Sequence, residues 1–466
     1  MENKQIGVIV EQGPRDWAIV QQRNGSAVIG LSGKWRTDEP AREAQAYARV
    51  VREESAETVV DWTKAEMTDD RGWRVVLDNV PSGGLYRIET CLRIDGNPAL
   101  EWAVRGDMIH HVGVGDLWII AGQSNAAGYG KGPINDPPEL GIHLLRNSGR
   151  WDLASHPFNE STNTLHIENR ETANPGHSPF LAFAKLLKRE TGYPIGLVQT
   201  ALGGSPLRAW NPGEDGTLYR NMLNIVRSAG GSARGVVWYQ GCSDCYPGDS
   251  ESYGERFRKM VEQWRADLGD SELPFATVQL NRYTGSDTTE EDDRGWGLVR
   301  EHQRVAARDI PGVTVVPAID SPLSDEIHNS PAGNLLIGER MARAVLASVY
   351  GKDVHFRAPE IAGARYDASS EDDGTPVVEL TYDHVGGYLL TIGPNQPVFT
   401  IEDEAGRAEI AAWSISGRSA IRIALKRPLQ GRAFIHAGFE RNPAAYYPLD
   451  SLTYMPPLSF YRFPIG

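Results

Sequence analysis

The pattern of hydrophobic and polar positions changes twice along the chain. Before residue 115 and after residue 352, short apolar or alternating segments recur between turn residues such as Asn24-Gly25. Between these limits, apolar runs alternate with amphipathic stretches. The first pattern is typical of β-sandwiches and the second of βαβ units. We therefore predict an N-terminal β-sandwich domain over residues 1–114, an α/β domain over 115–352 and a C-terminal β domain over 353–466.

The central α/β domain contains five short apolar runs, each of the length and composition of a strand buried on both faces of a parallel sheet. The predicted strands are Leu117–Ala121, Pro194–Thr200, Gly235–Gln240, Phe275–Leu280 and Val313–Ile319. Residues 142–153 are expected to form a hairpin excursion after the first strand, and residues 281–295 an acidic polar loop.

Two segments leave alternatives open. Residues 39–54, in the N-terminal domain, fit either a short helix or a charged pair of strands. The acidic residues 287–293 fit a solvated surface, and they also fit a lid over a site.

Composition and charge narrow the class of partner. The 466 residues are 40% hydrophobic and 23% charged, as in an ordinary globular protein. With 47 basic and 61 acidic residues the net charge is −14, which argues against nucleic acid or an anionic membrane as the main partner. A neutral substrate suits this charge better.

Targeting and redox signals are weak. No apolar run approaches membrane-spanning length, and Ile6–Val10 is too short for the core of a signal peptide. We expect a cytoplasmic protein, unless a leader has been removed. The cysteines Cys91, Cys242 and Cys245 are few and odd in number, which predicts no disulfide framework.

Candidate chemistry lies at the carboxyl ends of the predicted strands. Ser124, Gly203-Gly204 and the pair Asp325/His328 each follow one of them, and Gln240 is the last residue of another. Each signal alone has an ordinary explanation: a helix N-cap serine, a plain turn or a surface turn. Together they favour a site, because the carboxyl ends of parallel strands meet at one edge of the sheet.

These residue types suit acyl transfer. A serine nucleophile needs a base within hydrogen-bonding reach, and the base needs a group that fixes its tautomer. His328 can act as the base for Ser124, with Asp325 three residues earlier as its orienting group. The backbone N–H groups of Ser124 and Gly204 and the side-chain amide of Gln240 can donate to an oxyanion.

Four motifs carry a resemblance to a known family. They are GQSN at 122–125, GGS at 203–205, WYQG-x-SD at 238–244 and D-x-x-H at 325–328. These motifs resemble the four blocks of the SGNH hydrolase superfamily, and most closely its sialate O-acetylesterase-like and acetylxylan esterase-like branch. The resemblance covers about residues 115–350. It implies a flavodoxin-like five-stranded parallel sheet and a metal-independent serine esterase, without cofactor, that removes acetyl groups from carbohydrate hydroxyls.

The resemblance also implies roles for individual residues. By position, Ser124 is the nucleophile, His328 the base and Asp325 its orienting acid. Ser124, Gly204 and Gln240 line the oxyanion hole.

Further residues are candidates for substrate binding. Gln123 and Asn125 flank the nucleophile within the first block, and Trp210 lies on a connection after a predicted strand. An acetylated carbohydrate is the expected partner.

Two positions depart from the family pattern. Cys242 replaces a glutamate that some members are thought to use as the acid beside histidine, so Asp325 is expected to carry that role alone. His177 is unusual; it either reaches the substrate or is a loop histidine, and we favour the loop. The C-x-x-C formed by Cys242 and Cys245 lacks the second ligand pair of a metal site, and we predict no metal.

Two other functions remain open. One is a serine hydrolase of the same fold that acts on other short acyl esters. The other is a carbohydrate-binding protein whose centre is inactive, although intact Ser124, Asp325 and His328 argue against it.

Overall fold

The fold begins with an all-β region. The computed structural model describes residues 6–37, 43–95, 104–172, 175–368, 375–393, 397–443 and 447–466. The first eight strands are β1 (Gly7–Gln12), β2 (Ile19–Gln21), β3 (Ser26–Arg36), β4 (Ala44–Arg52), β5 (Thr58–Lys64), β6 (Glu66–Thr68), β7 (Gly72–Pro81) and β8 (Leu85–Ile94).

These strands form two sheets that share an apolar core. One sheet has the order β1-β3-β7-β6, and in the other β4 pairs with β5 and β8. Burial alternates along β3 and β7, as expected for sheets with one face on the core and one in water. Of the ambiguous segment 39–54, residues 44–52 form β4, and residues 38–42 lie outside the described part of the chain.

A long strand, β9 (Val104–Gly122), joins the N-terminal region to the central sheet. Its first half pairs antiparallel with β8, and its second half is the central strand of a parallel sheet. The boundary expected at residues 114 and 115 therefore falls inside one continuous strand. The division into three domains stays a prediction.

The central sheet contains more strands than the five predicted. Besides β9 it contains the four other predicted strands, β12 (Ile195–Gln199), β13 (Gly235–Tyr239), β14 (Phe275–Gln279) and β15 (Val313–Pro317). Two further strands are β10 (Ile142–Leu145) and β11 (Trp151–Leu153). The five expected strands have the doubly wound order β12-β9-β13-β14-β15, all parallel.

The hairpin β10–β11 is a correction to the sequence prediction. Strand β10 pairs antiparallel with β11, but its other edge pairs parallel with β12, so six strands are parallel and β11 is an antiparallel edge. The side chains of β10 are fully buried, and pairing with the sheet satisfies the backbone groups that burial removes from water.

Helices cover the central sheet. They are α1 (Ser124–Ala127), α2 (Phe180–Thr191), α3 (Leu207–Trp210), α4 (Thr217–Ser228), α5 (Asp249–Leu268), α6 (Glu290–Asp309) and α7 (Pro331–Ser348). Helix α2 packs against α7, while α3 contacts α4 and α5, and α5 contacts α6. No helix in the described ranges is long and apolar enough to cross a membrane.

Helix α6 corrects the predicted acidic loop. It begins at Glu290, because Thr289 and Asp292 cap its N-terminus reciprocally. The acidic residues 290–293 form its first turn, where the helix dipole favours negative charge. Only residues 281–289 are a loop in the structure.

The C-terminal region is again all-β. Its strands are β16 (Glu360–Asp367), β17 (Val377–Asp383), β18 (Leu389–Leu390), β19 (Phe399–Asp403), β20 (Gly406–Ala408), β21 (Ile410–Ser416), β22 (Ala420–Leu425), β23 (Ala433–Ala437), β24 (Leu449–Asp450) and β25 (Phe460–Ile465). Two antiparallel four-stranded sheets, β16-β17-β22-β21 and β20-β19-β23-β25, enclose a shared apolar core.

Two buried histidines lead to a prediction about stability. Burial lowers the pKa of both His143 in β10 and His436 in β23 to about 4. In the unfolded chain each titrates near pH 6.5. Between these values the unfolded chain binds more protons than the folded one, so the free energy of unfolding falls as the pH drops from about 6.5 to about 4. Each histidine contributes up to about 3 kcal/mol.

Thermal unfolding measured between pH 8 and pH 4 (roughly the range that covers both pKa values) checks this. We expect a constant Tm near neutrality, a steep fall below pH 6.5, and a shallower fall in His143→Gln. A wild-type Tm that does not change across this range would contradict the assignment.

Candidate active site

The carboxyl ends of β9 and β15 bring Ser124, His328 and Asp325 together. His328 Nε2 lies 2.9 Å from Ser124 Oγ, and His328 Nδ1 lies 2.7 Å from Asp325 Oδ2. With Nδ1–H donating to the carboxylate, Nε2 is free to accept the serine hydroxyl proton. These are the contacts that a nucleophile, a base and an orienting acid require.

A turn at Gly122 positions Ser124. Gly122 has φ +127°, and a Cβ there would lie 2.3 Å from the carbonyl oxygen of Tyr239 in β13. The chain therefore passes close to the neighbouring strand only with glycine at this position. Ser124 is the first residue of α1, and Gln123 holds the N-cap position, so the serine side chain is directed to His328 and does not cap the helix.

Asp325 organises the turn that carries the histidine. Its Oδ1 accepts hydrogen bonds from the backbone N–H of Ile327 at 2.9 Å and of His328 at 2.7 Å. Burial alone would raise the pKa of Asp325, but these two N–H groups and the imidazole hold it below its usual value. The carboxylate is therefore ionised at neutral pH and can stabilise an imidazolium.

The side-chain amide of Asn125 is hydrogen-bonded to the same turn and is not free to contact a substrate. Its Oδ1 accepts from the N–H of Asn329 at 3.0 Å, and its Nδ2 donates to the carbonyl of Ile327 at 3.2 Å. Both ends of the amide therefore bind the residues on either side of His328. The expectation that Asn125 contacts substrate is replaced by a positioning role.

Gln123 is likewise engaged inside the protein. It is buried, and its Oε1 accepts from the N–H of Gly241 at 2.9 Å. This hydrogen bond connects the turn that carries Ser124 to the loop after β13. The structure does not support Gln123 as a substrate contact.

Gln240 does not point into the site, contrary to its expected place in the oxyanion hole. The side chain is fully buried, and its Nε2 donates to the carbonyl of Ser205 at 3.2 Å and to the Asp244 carboxylate. Its Oε1 accepts from the hydroxyl of Tyr253 at 3.1 Å. Both amide hydrogens are thus used internally.

Trp210, the third expected substrate contact, belongs to the core. Its indole is fully buried, and Nε1 donates to Ser205 Oγ at 3.0 Å. It packs edge-on against Trp238 and also contacts Trp264. A side chain without exposed surface cannot touch a sugar.

Gly204 stays available as an oxyanion donor. It is exposed, with φ +69° and open space where a Cβ would lie. No residue that the structure describes accepts a hydrogen bond from its N–H, while its carbonyl accepts from Ser243 Oγ at 3.1 Å. The backbone N–H groups of Ser124 and Gly204 remain as the candidate donors.

Two residues beside the site were missed by the sequence analysis. The ring of Tyr129 packs over the imidazole of His328, with centroids 4.8 Å apart. Glu171 accepts from the N–H of Gly203 at 2.9 Å, and burial together with this carboxylate raises the pKa of Tyr129. Glu171 comes from the irregular connection between β11 and α2, where no periodic pattern marks it. Tyr129 lies seven residues after the end of β9 and belongs to no motif.

One cluster has metal-ligand spacing, but its protonation does not fit a metal ion. Asp136, His156 and His177 converge, and each histidine Nε2 lies 3.0 Å from Asp136 Oδ2. His156 Nδ1 accepts from the N–H of Ser178, so its proton sits on the nitrogen that would have to bind the metal. The ammonium of Lys185 lies 2.5 Å from Asp136 Oδ1 and supplies the compensating charge.

This cluster is therefore a hydrogen-bonded group in which His177 is buried and Asp136 and His156 are partly buried. It places His177 away from solvent, where its backbone bridges Gly130 beside the site. Burial alone would raise the pKa of Asp136, but the two histidines and Lys185 hold it well below its usual range.

The thiols of the C-x-x-C segment are protonated. Burial raises the pKa of Cys242 to about 12 and also raises that of Cys245 well above its usual value. A thiol is a weak ligand and a weak nucleophile compared with a thiolate. Neither cysteine belongs to the group with metal-ligand geometry that is found among the described residues.

Comparisons with known proteins indicate the class of enzyme. The family model described as "Carbohydrate esterase, sialic acid-specific acetylesterase" matches residues 114–347. A probable carbohydrate esterase from Arabidopsis thaliana is 31% identical over 256 residues, which are 50% of this chain and 90% of that protein. Human sialate O-acetylesterase is 24% identical over 394 residues, 73% of this chain and 71% of that one.

A solved structure extends the likeness to the whole fold. A carbohydrate acetylesterase from Xanthomonas citri has a TM-score of 0.66 at 22% identity, covering 96% of this chain and 97% of that chain. At this identity the likeness concerns the fold. The family model and the plant relative go further: this chain is a carboxylic ester hydrolase and belongs to the carbohydrate esterase family of sialic acid-specific acetylesterases.

Proposed function

We propose that the protein hydrolyses O-acetyl esters of carbohydrates through Ser124, His328 and Asp325. The observation that carries the proposal is the continuous contact from Ser124 Oγ through the imidazole to the Asp325 carboxylate. Family membership supports the ester class, and the geometry supports the choice of residues.

The reaction follows from this arrangement. Ser124 Oγ attacks the acetyl carbonyl carbon while His328 Nε2 takes its proton, and the N–H groups of Ser124 and Gly204 donate to the oxyanion. The imidazolium then protonates the departing sugar oxygen, which leaves an acetyl ester on Ser124. Water then attacks that ester while His328 Nε2 takes its proton, and the imidazolium returns this proton to Ser124 Oγ as acetate leaves. Asp325 stabilises the imidazolium in both halves.

The substrate is proposed to be a sialate or an acetylated xylan-type saccharide. The name of the family and those of its relatives point to the first. The net charge of −14 mildly favours a neutral sugar. Acetate release from a panel of both kinds of acetylated saccharide tests this, and no release from any member would overturn the proposal.

Two alternatives are separated by simple ester assays. Hydrolysis of p-nitrophenyl acetate distinguishes an enzyme from an inactive carbohydrate-binding protein. A series of p-nitrophenyl esters of increasing acyl length then distinguishes an acetylesterase from a hydrolase of other short acyl esters. We expect activity to be highest with acetate.

Asn125→Ala provides a test of the positioning role. Removing both hydrogen bonds to the turn should let His328 move relative to Ser124, and a misplacement of that kind can cost on the order of a hundredfold in rate. We expect kcat to fall and KM to change little with p-nitrophenyl acetate. A raised KM for acetylated sugars with an unchanged kcat would restore Asn125 as a substrate contact.

A further inference from the structure

We propose that the C-terminal β region positions the catalytic histidine, through Arg300 and Arg441. The inference rests on the proposed function, since it concerns the geometry of the His328 turn. In this proposal, residues 438–441 help to hold the turn that carries His328 in place.

The first connection is a buried arginine on α6. Arg300 is fully buried, and its Nη1 donates to the carbonyls of Gly438 at 2.9 Å and Glu440 at 2.6 Å. Its Nε and Nη2 donate to the carbonyls of Leu280 at 3.1 Å and Asn281 at 2.5 Å. One guanidinium thus joins the C-terminal region to the end of β14.

The end of β14 in turn holds the histidine turn. The side chain of Asn281 is buried, and its Nδ2 donates to the carbonyl of Ile327 at 2.7 Å and to Asn329 Oδ1 at 3.0 Å. These are the residues on either side of His328. Two successive hydrogen bonds therefore connect Arg300 to the residues that flank His328.

The second connection runs through the loop 281–289. Tyr283 donates its N–H to the carbonyl of Arg441 at 2.9 Å, and the Arg441 guanidinium lies 3.7 Å from the centroid of the Tyr283 ring. On its other side, Tyr283 donates its hydroxyl to Glu326 Oε2 at 3.2 Å, and the N–H of Thr284 donates to the carbonyl of Glu326 at 2.8 Å. Glu326 directly follows Asp325.

The chemistry of Arg300 explains why this connection is rigid. Arg300 makes no ion pair with a carboxylate in the described parts of the chain. Backbone carbonyls accept its hydrogen bonds, and the centroid of the Trp296 ring lies 5.3 Å from its guanidinium carbon. An unpaired buried charge is costly, and every lost acceptor increases that cost. The carbonyls at 280–281 and 438–440 are therefore held together, and the turn next to them is held with them.

The test compares Arg300→Met with Arg304→Met. Arg304 lies one turn further along α6, is also buried, and binds Glu360 of β16 at 2.6 Å, so it contacts the C-terminal region without reaching the histidine turn. For each variant, a fluorophosphonate counts the reactive serines, and the turnover of p-nitrophenyl acetate is expressed per labelled site. Thermal unfolding is measured in parallel.

We expect Arg300→Met to lower kcat per labelled site by roughly tenfold or more, with little change in KM. Arg304→Met should lose stability yet keep the wild-type kcat per site. Arg300→Lys, which keeps the charge and some donors, should recover part of the loss. If Arg300→Met does not fold, Arg441→Ala takes its place; it should lower kcat per site, whereas Arg418→Ala, which removes bonds only within the C-terminal region, should not.

The inference is overturned if Arg300→Met, or Arg441→Ala in its place, keeps the wild-type kcat per labelled site. It is also overturned if Arg304→Met lowers kcat per site equally. The lower kcat would then follow from any weakened contact with the C-terminal region and not from the His328 turn. Failure of the wild-type protein to be labelled at Ser124 would instead overturn the proposed function, which separates the two results.

Discussion

Ser124→Ala is expected to lower ester hydrolysis by on the order of ten-thousand-fold or more while the protein stays folded. Its Oγ lies 2.9 Å from the base His328, and the structure places no other hydroxyl at His328 Nε2 among the residues it describes. What remains should be the weak catalysis that oxyanion donors and binding provide without a nucleophile. Initial rates with p-nitrophenyl acetate and with an acetylated saccharide measure the effect.

A matched control is Ser243→Ala. Ser243 is also near the site, but its Oγ donates to the carbonyl of Gly204 and does not contact His328. This variant should retain most of the activity. If Ser124→Ala kept more than a small fraction of wild-type activity at an unchanged Tm, the serine mechanism would have to be abandoned.

Asp325→Asn is expected to have the second largest effect. A neutral amide cannot stabilise the imidazolium and can select the wrong tautomer of His328, a change that can cost on the order of ten-thousand-fold in turnover. The loss should appear in kcat more than in KM. Because Asp325 also accepts two backbone N–H bonds in the turn, Tm must be measured with the kinetics.

Cys242→Ser is the informative companion to that variant. Cys242 stands where the resemblance implies a glutamate, but burial keeps its thiol protonated. Among the described residues, the His328 ring is hydrogen-bonded to Asp325 and Ser124 and not to Cys242. We expect nearly wild-type activity. A crippled Cys242→Ser beside an active Asp325→Asn would show that His328 is oriented from the loop after β13.

The sequence was most informative where a local pattern has one physical solution. Short apolar runs predicted the five strands of doubly wound order, and their carboxyl ends predicted which side chains meet. Ser124, Asp325 and His328 could be assigned together because a shared sheet edge brings distant segments into contact. Strand β10 was assigned to a separate hairpin because its partner β12 lies about fifty residues away, and no local signal reports that pairing.

Side-chain direction was the part that the sequence could not supply. Gln240 lies at the expected strand end and Trp210 on the expected connection, yet both side chains turn inward. Asp244 and Tyr253 bind Gln240 there, and Ser205 binds Trp210. The side chain of Asn125 points to the loop that carries His328 for the same reason, because backbone groups of that loop bind it. Such choices depend on contacts between segments, which spacing along the chain does not record.

Longer-range positioning was equally hidden. The buried guanidinium of Arg300 looked, in the sequence, like one of many charged positions on an amphipathic helix. Its role depends on the carbonyls at 438–440, which a different region of the chain brings to it. The capping residues of α6 show the contrast, since Thr289 and Asp292 are neighbours whose signal was present in the sequence.

The role of Ser124 as nucleophile is tested by locating the acetyl group on the enzyme during turnover. The wild-type protein is mixed with p-nitrophenyl acetate, quenched in acid within the first turnovers, digested and examined by mass spectrometry. We expect a single acetylated peptide, with the modification on Ser124 and none in Ser124→Ala. Acetyl on another residue, whose replacement abolishes activity while Ser124→Ala stays active, would show that Ser124 is not the nucleophile.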